Sequence, residues 1–142
     1  MGEAVTRSYH SIDGSAAIVF GDHAQYIENI TPSDTSSAVF TEYLSLVTPV
    51  IEAGTYRIGW VFQYEASTAT TEGEYRLEID NTTNVDTETL IIASANERKS
   101  YANISFEALA AGSHTIDLDF RRSGGPGIFT IDDAKIEIWR AI

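Results

Sequence analysis

Asp117, Asp119, Asp132, Asp133 and Glu137 form the densest acidic set in the chain. Carboxylates gathered at close quarters can do two kinds of chemistry. Several together supply the oxygen ligands that a hard cation such as calcium requires. A pair, one member with its pKa raised in a cleft, can cleave a glycosidic bond by acid–base catalysis. The spacing supports neither. Asp117 and Asp119 share the outward parity of an alternating segment, where charge marks a solvent face, and the Asp-x-Asp-x-Asp-Gly loop of a calcium site is absent. No feature singles out an acid–base pair among the 21 acidic residues.

Other ligand and nucleophile patterns are missing too. His10, His23 and His114 lie far apart and make no i, i+4 pair, so no zinc site is expected. The chain has no cysteine, which removes thiolate ligands and thiol catalysis. Gly-x-Ser-x-Gly does not occur, and His114 follows a turn with no partner in view. The chain reads as a non-enzyme with no metal or cofactor. The purified protein is expected to hydrolyse neither polysaccharides nor esters.

The aromatic residues carry more information. There are seven Tyr, six Phe and two Trp, and exposed aromatic planes are one means of stacking on sugar rings. Trp60 falls on an apolar parity and is expected in the core. Tyr43 and Trp139 have the parity opposite to their apolar neighbours, so both are expected to face outward as surface contacts. Asn29-Ile30-Thr31, Asn81-Thr82-Thr83 and Asn103-Ile104-Ser105 match the glycosylation sequon. The start of the chain does not have the pattern of a signal peptide, so these matches are expected to be accidental.

Strands must position these side chains. Between residues 54 and 64, Tyr56, Ile58, Trp60, Phe62 and Tyr64 all fall on one parity. Successive side chains of a strand point to opposite faces, so this run lays large apolar groups along one buried face. A helix would scatter them around its circumference. The same alternation puts Tyr75, Leu77 and Ile79 inward over residues 74–80, and Ile116, Leu118 and Phe120 inward over 115–121. Further strands are expected at 16–20, 25–30, 38–47, 87–93, 128–131 and 134–142, with loops at 31–37, 65–72 and 122–127. Residues 94–112 are ambiguous, because Ser94 and Glu97 have the spacing of a capping box and Gly112 could stop a helix. An internal similarity favours a strand. Ala53-Gly54-Thr55-Tyr56-Arg57-Ile58 aligns with Ala111-Gly112-Ser113-His114-Thr115-Ile116, and Pro49 keeps the first copy's approach extended. The repeated unit predicts two equivalent corners in an all-β, two-sheet antiparallel β-sandwich of jelly-roll topology.

At 142 residues the chain is one domain, able to bury roughly 68–70% of its extended-chain surface. Residues 1–14 offer little apolar pattern and are expected to form an N-terminal arm, with the jelly-roll domain spanning 15–142. Ordering a backbone residue costs on the order of 1–2 kcal/mol, so such an arm needs contacts elsewhere. Val5 and Tyr9 are its expected anchors on a neighbouring subunit or a capsid protein. The formal net charge of −12 repels phosphates and argues against nucleic acid as a partner. It suits solubility, or docking onto a basic surface. No apolar run is long enough to span a bilayer, so no membrane association is expected.

Three segments carry a resemblance: Pro49-Val50-Ile51-Glu52-Ala53-Gly54-Thr55-Tyr56-Arg57-Ile58, Leu109-Ala110-Ala111-Gly112-Ser113-His114-Thr115-Ile116 and Phe129-Thr130-Ile131-Asp132-Asp133-Ala134-Lys135-Ile136. Over residues 38–142 the chain resembles the small jelly-roll structural proteins of tailed-phage virions. The pattern also occurs in carbohydrate-binding jelly rolls and, more loosely, in tumour-necrosis-factor-like trimers. The resemblance implies a non-enzymatic virion protein, made in the host cytoplasm and placed on the capsid surface. There it would decorate or cement the head as a homotrimer on the major capsid protein. The alternative is a tail- or fibre-associated receptor-binding protein that takes a host surface glycan. These motifs speak for fold rather than function, and no binding residue transfers with them.

Overall fold

The computed structural model describes residues 5–8 and 25–141. Among them are ten strands and no helix: β1 (Val5–Ser8), β2 (Gln25–Asn29), β3 (Ser33–Thr35), β4 (Thr41–Val47), β5 (Gly54–Ala66), β6 (Glu72–Ile79), β7 (Thr83–Ile91), β8 (Lys99–Leu109), β9 (Thr115–Gly124) and β10 (Phe129–Arg140). They form two antiparallel sheets. One runs β1-β2-β10-β5-β8, with β3 also paired to β10, and the other runs β4-β9-β6-β7. The order β2-β10-β5-β8 facing β4-β9-β6-β7 is that of a jelly roll, as the strand pattern predicts.

Parity accounts for the core. Tyr56, Ile58, Trp60, Phe62 and Tyr64 are all buried on the inner face of β5. Tyr75, Leu77 and Ile79 of β6 meet them from the other sheet, with Ile116, Leu118 and Phe120 of β9. The Phe62 and Tyr75 rings cross the interface edge-on at 4.9 Å, a favoured aromatic geometry. Gly73 makes room for the Phe129 ring, from which a Cβ there would stand 2.1 Å. The ambiguous stretch at 94–112 resolves as a strand, β8, paired along its whole length with β5. The two Ala-Gly corners meet each other. Ile51 and Gly112 exchange both backbone hydrogen bonds, each 2.9 Å long, tying the entry to β5 to the entry to β9.

Several sequence expectations need correction. Tyr43 does not face outward; it is 9% exposed and packs edge-on against Phe120 with ring centroids 6.0 Å apart. The cause is a β-bulge. Register with β9 slips between Glu42 and Leu44, so Tyr43 is the extra residue and both Tyr43 and Leu44 turn inward. Its hydroxyl lies 2.8 Å from Thr31 O and 3.1 Å from Asn29 O. Residues 31–37 are not all loop, since β3 pairs with Phe129, Thr130 and Ile131 of β10.

Asp117 and Asp119 lie on the outer face as their parity predicts, yet they are not solvated; they are 2% and 7% exposed. Ser45 Oγ donates to Asp117, and Arg76 Nη2 donates to Asp119 at 2.7 Å. Phe40 covers this corner, with the Arg76 and Arg121 guanidinium groups 4.3 and 4.4 Å from its ring centroid. Burial, then the charges of Asp117 and Asp119, push the neighbouring Glu42 carboxyl above its usual range.

In the segment expected to form an N-terminal arm, Val5, Thr6, Arg7 and Ser8 pair in antiparallel register with Glu28, Ile27, Tyr26 and Gln25 of the same chain. This described part of the segment is an edge strand of the sheet. Tyr9 and the strand expected at 16–20 lie outside the described residues.

Candidate ligand-binding face

The core lies on the inner face of β2, β10, β5 and β8, which leaves their outer face to consider. Antiparallel partners in register share a face, so the strand register places outward side chains in rows across four strands. Tyr26 pairs with Glu137, Glu137 with Gly59, and Gly59 with Ile104. One row therefore runs Tyr26, Glu137, Gly59, Ile104 from β2 to β8. At the usual strand spacing its ends lie roughly 14 Å apart. On one side of it stand Glu28, Lys135, Val61 and Ala102, and on the other Trp139, Arg57 and Phe106.

Gly59 makes this face concave. A Cβ at that position would approach Glu137 Oε1 to 2.9 Å and Cγ to 3.1 Å. Without one, the Glu137 side chain lies over β5 and meets Arg57, Nη1 to Oε1 2.6 Å. The result is a groove of about 510 Å³ between Tyr26 on one wall and Ile104 on the other, with Val61 and Ala102 at one end. That volume lies within the span typical of small-molecule sites.

The electrostatics of the groove are balanced. Arg57 is held by Glu137, and Lys135 Nζ lies 3.5 Å from Glu28 Oε2. The Tyr26 hydroxyl donates to Glu28 Oε1 at 3.2 Å, which steadies the ring at the groove wall. Arg57 also stacks over the Trp139 ring at 4.8 Å. Each carboxylate faces a cation. The Tyr26 ring and the Ile104 side chain give the groove apolar walls, with hydrogen-bonding groups on the floor.

Of the residues singled out from sequence, Trp139 belongs to this face, partly buried beneath Arg57. Tyr43 is in the core, the Val5 backbone pairs with Glu28 in β1–β2, and Tyr9 lies outside the described residues. Sequence reasoning missed Tyr26, Arg57, Gly59, Ile104 and Glu137 as a group. The outward parity of Arg57 and Glu137 is visible in the sequence. Their meeting depends on pairing between strands 80 residues apart in the chain.

No protein-family model matches the chain, and no curated protein matches it. Solved structures do. The dimeric latent PorU of Porphyromonas gingivalis is 15% identical over 95% of this chain, with a TM-score of 0.56. A structure of infectious bursal disease virus, Gx strain, is 11% identical over 94% of this chain, with a TM-score of 0.53. The chain spans only 14% of the former and 37% of the latter. TmCBM61 in complex with beta-1,4-galactotriose is 13% identical, with 97% of this chain and 87% of that one covered, at a TM-score of 0.42. The first two likenesses establish a shared fold and nothing further, and the third is too loose to carry an argument.

Proposed function

We propose that the chain is a non-catalytic binding jelly roll that holds a carbohydrate in the groove on the outer face of β2-β10-β5-β8. The observation behind this reading is the aligned row Tyr26–Glu137–Gly59–Ile104, with apolar groups at both ends and the Glu137 carboxylate lying over Gly59 between them. Sugars have the complementary character, with C–H faces that pack on flat apolar groups and hydroxyls that need both donors and acceptors. Arg57 supplies donors, and Glu137 supplies an acceptor beside them. In the setting implied by the resemblance to phage jelly rolls, this is a receptor-binding role on a virion, directed at a host surface glycan. A glycan array tests it. The wild-type chain should retain a defined set of glycans that Tyr26→Ala loses, whereas equal binding by both proteins would remove the groove from the reading.

A second reading, decoration of a capsid as a homotrimer on the major capsid protein, is supported by one feature. Phe106 and Ile104 of β8 are 58% and 49% exposed at the end of the described sheet. A stable subunit contact over them would bury about 1,200–2,000 Å². Light scattering at micromolar concentration separates the two, since a trimer dissociated by Phe106→Asp favours the decoration role.

A further inference from the structure

Granting the carbohydrate-binding reading, on which this step rests, we infer that the groove selects an uncharged sugar carrying adjacent hydroxyls, and that Arg57 and Glu137 make the selection. The groove's two cations are already matched. Arg57 Nη1 lies 2.6 Å from Glu137 Oε1, and Lys135 Nζ lies 3.5 Å from Glu28 Oε2. A uronate, sialate or sulfate entering here would meet no unmatched positive charge, and it would have to approach a chain of net charge −12. An acidic sugar is therefore disfavoured twice, by the floor of the groove and by the field of the whole molecule.

Neutral hydroxyls find what they need. The Glu137 side chain is 47% exposed and uses Oε1 for Arg57, which leaves its second oxygen as a further acceptor. A guanidinium carries five N–H groups in a fixed fork, and the pairing with Glu137 occupies one of them. A carboxylate oxygen beside an N–H donor matches two neighbouring hydroxyls, one donating to Glu137 and the other accepting from Arg57. Gly59 brings this pair within reach of the groove floor, because any side chain there would lift Glu137 off β5. Tyr26 and Ile104 then bracket the ring from the two walls.

Calorimetry with matched probes tests this on the whole chain: cellohexaose, mannohexaose and galactohexaose against hexagalacturonate. At least one neutral hexasaccharide should bind at least tenfold tighter than the uronate. That preference should persist at about 0.5 M salt, where long-range repulsion is largely screened. Glu137→Gln keeps the shape and removes the floor carboxylate, and it should reduce the preference several-fold while the far-ultraviolet spectrum stays the same. Uronate binding as tight as neutral binding would overturn the neutral-sugar inference and leave the carbohydrate reading standing. A Glu137→Gln protein with unchanged preference would remove Glu137 from the selection. No binding of any probe by folded wild-type protein would sink the carbohydrate reading itself.

Discussion

The His114 ring is held at both nitrogens, with Nδ1 2.7 Å from Asp80 Oδ2 and Nε2 3.0 Å from the Ala110 carbonyl oxygen. Both partners are acceptors, so the doubly protonated ring satisfies them best. The Ala110 carbonyl and then Asp80 raise the His114 pKa, against a smaller effect of burial. For Asp80, burial acts upward, but hydrogen bonds from His114 and the Thr115 N–H outweigh it and the net shift is down. The pair joins the β6–β7 turn to the β8–β9 corner.

A pH dependence follows, with its sign fixed by these directions. A raised histidine contributes stability in full below its unfolded pKa of about 6.5 and loses it as pH rises through the folded value. A lowered aspartate contributes above about 3.9 and loses it as pH falls through its folded value. The pair therefore stabilises most between roughly pH 4 and 6.5. His114→Gln should lower Tm more at pH 5.5 than at pH 9. The partly exposed site keeps the effect within about 1 kcal/mol. An equal loss at both pH values would contradict the ion pair.

Trp60, in the middle of β5, joins the two sheets. It is 3% exposed, and its indole Nε1 donates to the Tyr75 hydroxyl at 3.4 Å. That hydroxyl donates in turn to Asp86, which also accepts from Asn103 Nδ2 at 3.0 Å. Trp60→Ala should cost roughly 3–5 kcal/mol in urea unfolding, the range for deleting a large core aromatic. A loss below 1 kcal/mol would place Trp60 outside the core.

Tyr43→Phe isolates the bulge-driven burial. Burial and then the charge of Asp133 push the Tyr43 hydroxyl up to about 12, so it remains a donor through ordinary pH. Removing it should cost about 1 kcal/mol, the usual net worth of one hydrogen bond, with the fold unchanged. A neutral substitution would indicate that the ring packs but the hydroxyl does not anchor the 29–31 turn.

How much of this was legible follows from what parity can and cannot say. Tyr56 to Tyr64 announced a strand and its buried face, and the Ala53-Gly54 and Ala111-Gly112 repeat announced two corners. Parity failed at Tyr43, because the extra residue of a bulge turns inward beside Leu44, while Leu44 and Leu46 keep the inward face their parity predicts. It named the face of Asp117 and Asp119 correctly and missed their burial, because Ser45 of β4 and Arg76 of β6 reach them from the neighbouring strands. The groove was invisible for a related reason. Tyr26, Glu137, Gly59 and Ile104 are each ordinary in sequence, and only register across β2, β10, β5 and β8 makes them neighbours.

The N-terminal segment gives a further test. β1 pairs with β2, while the described core lies between the other strands. Deleting residues 2–12 should leave a folded jelly roll with a Tm lower by a few degrees, corresponding to about 1 kcal/mol for a domain of this size. Loss of cooperative unfolding would mean that the segment is integral to the domain.

The groove assignment is most directly tested by following backbone amide resonances while a neutral hexasaccharide that binds is titrated in. The largest shifts should fall on Tyr26, Gly59, Ile104 and Glu137, with Arg57 and Lys135 beside them, and the outer face of β4-β9-β6-β7 should stay unchanged. Shifts concentrated on that second sheet or on the loops, with Gly59 unmoved, would contradict it.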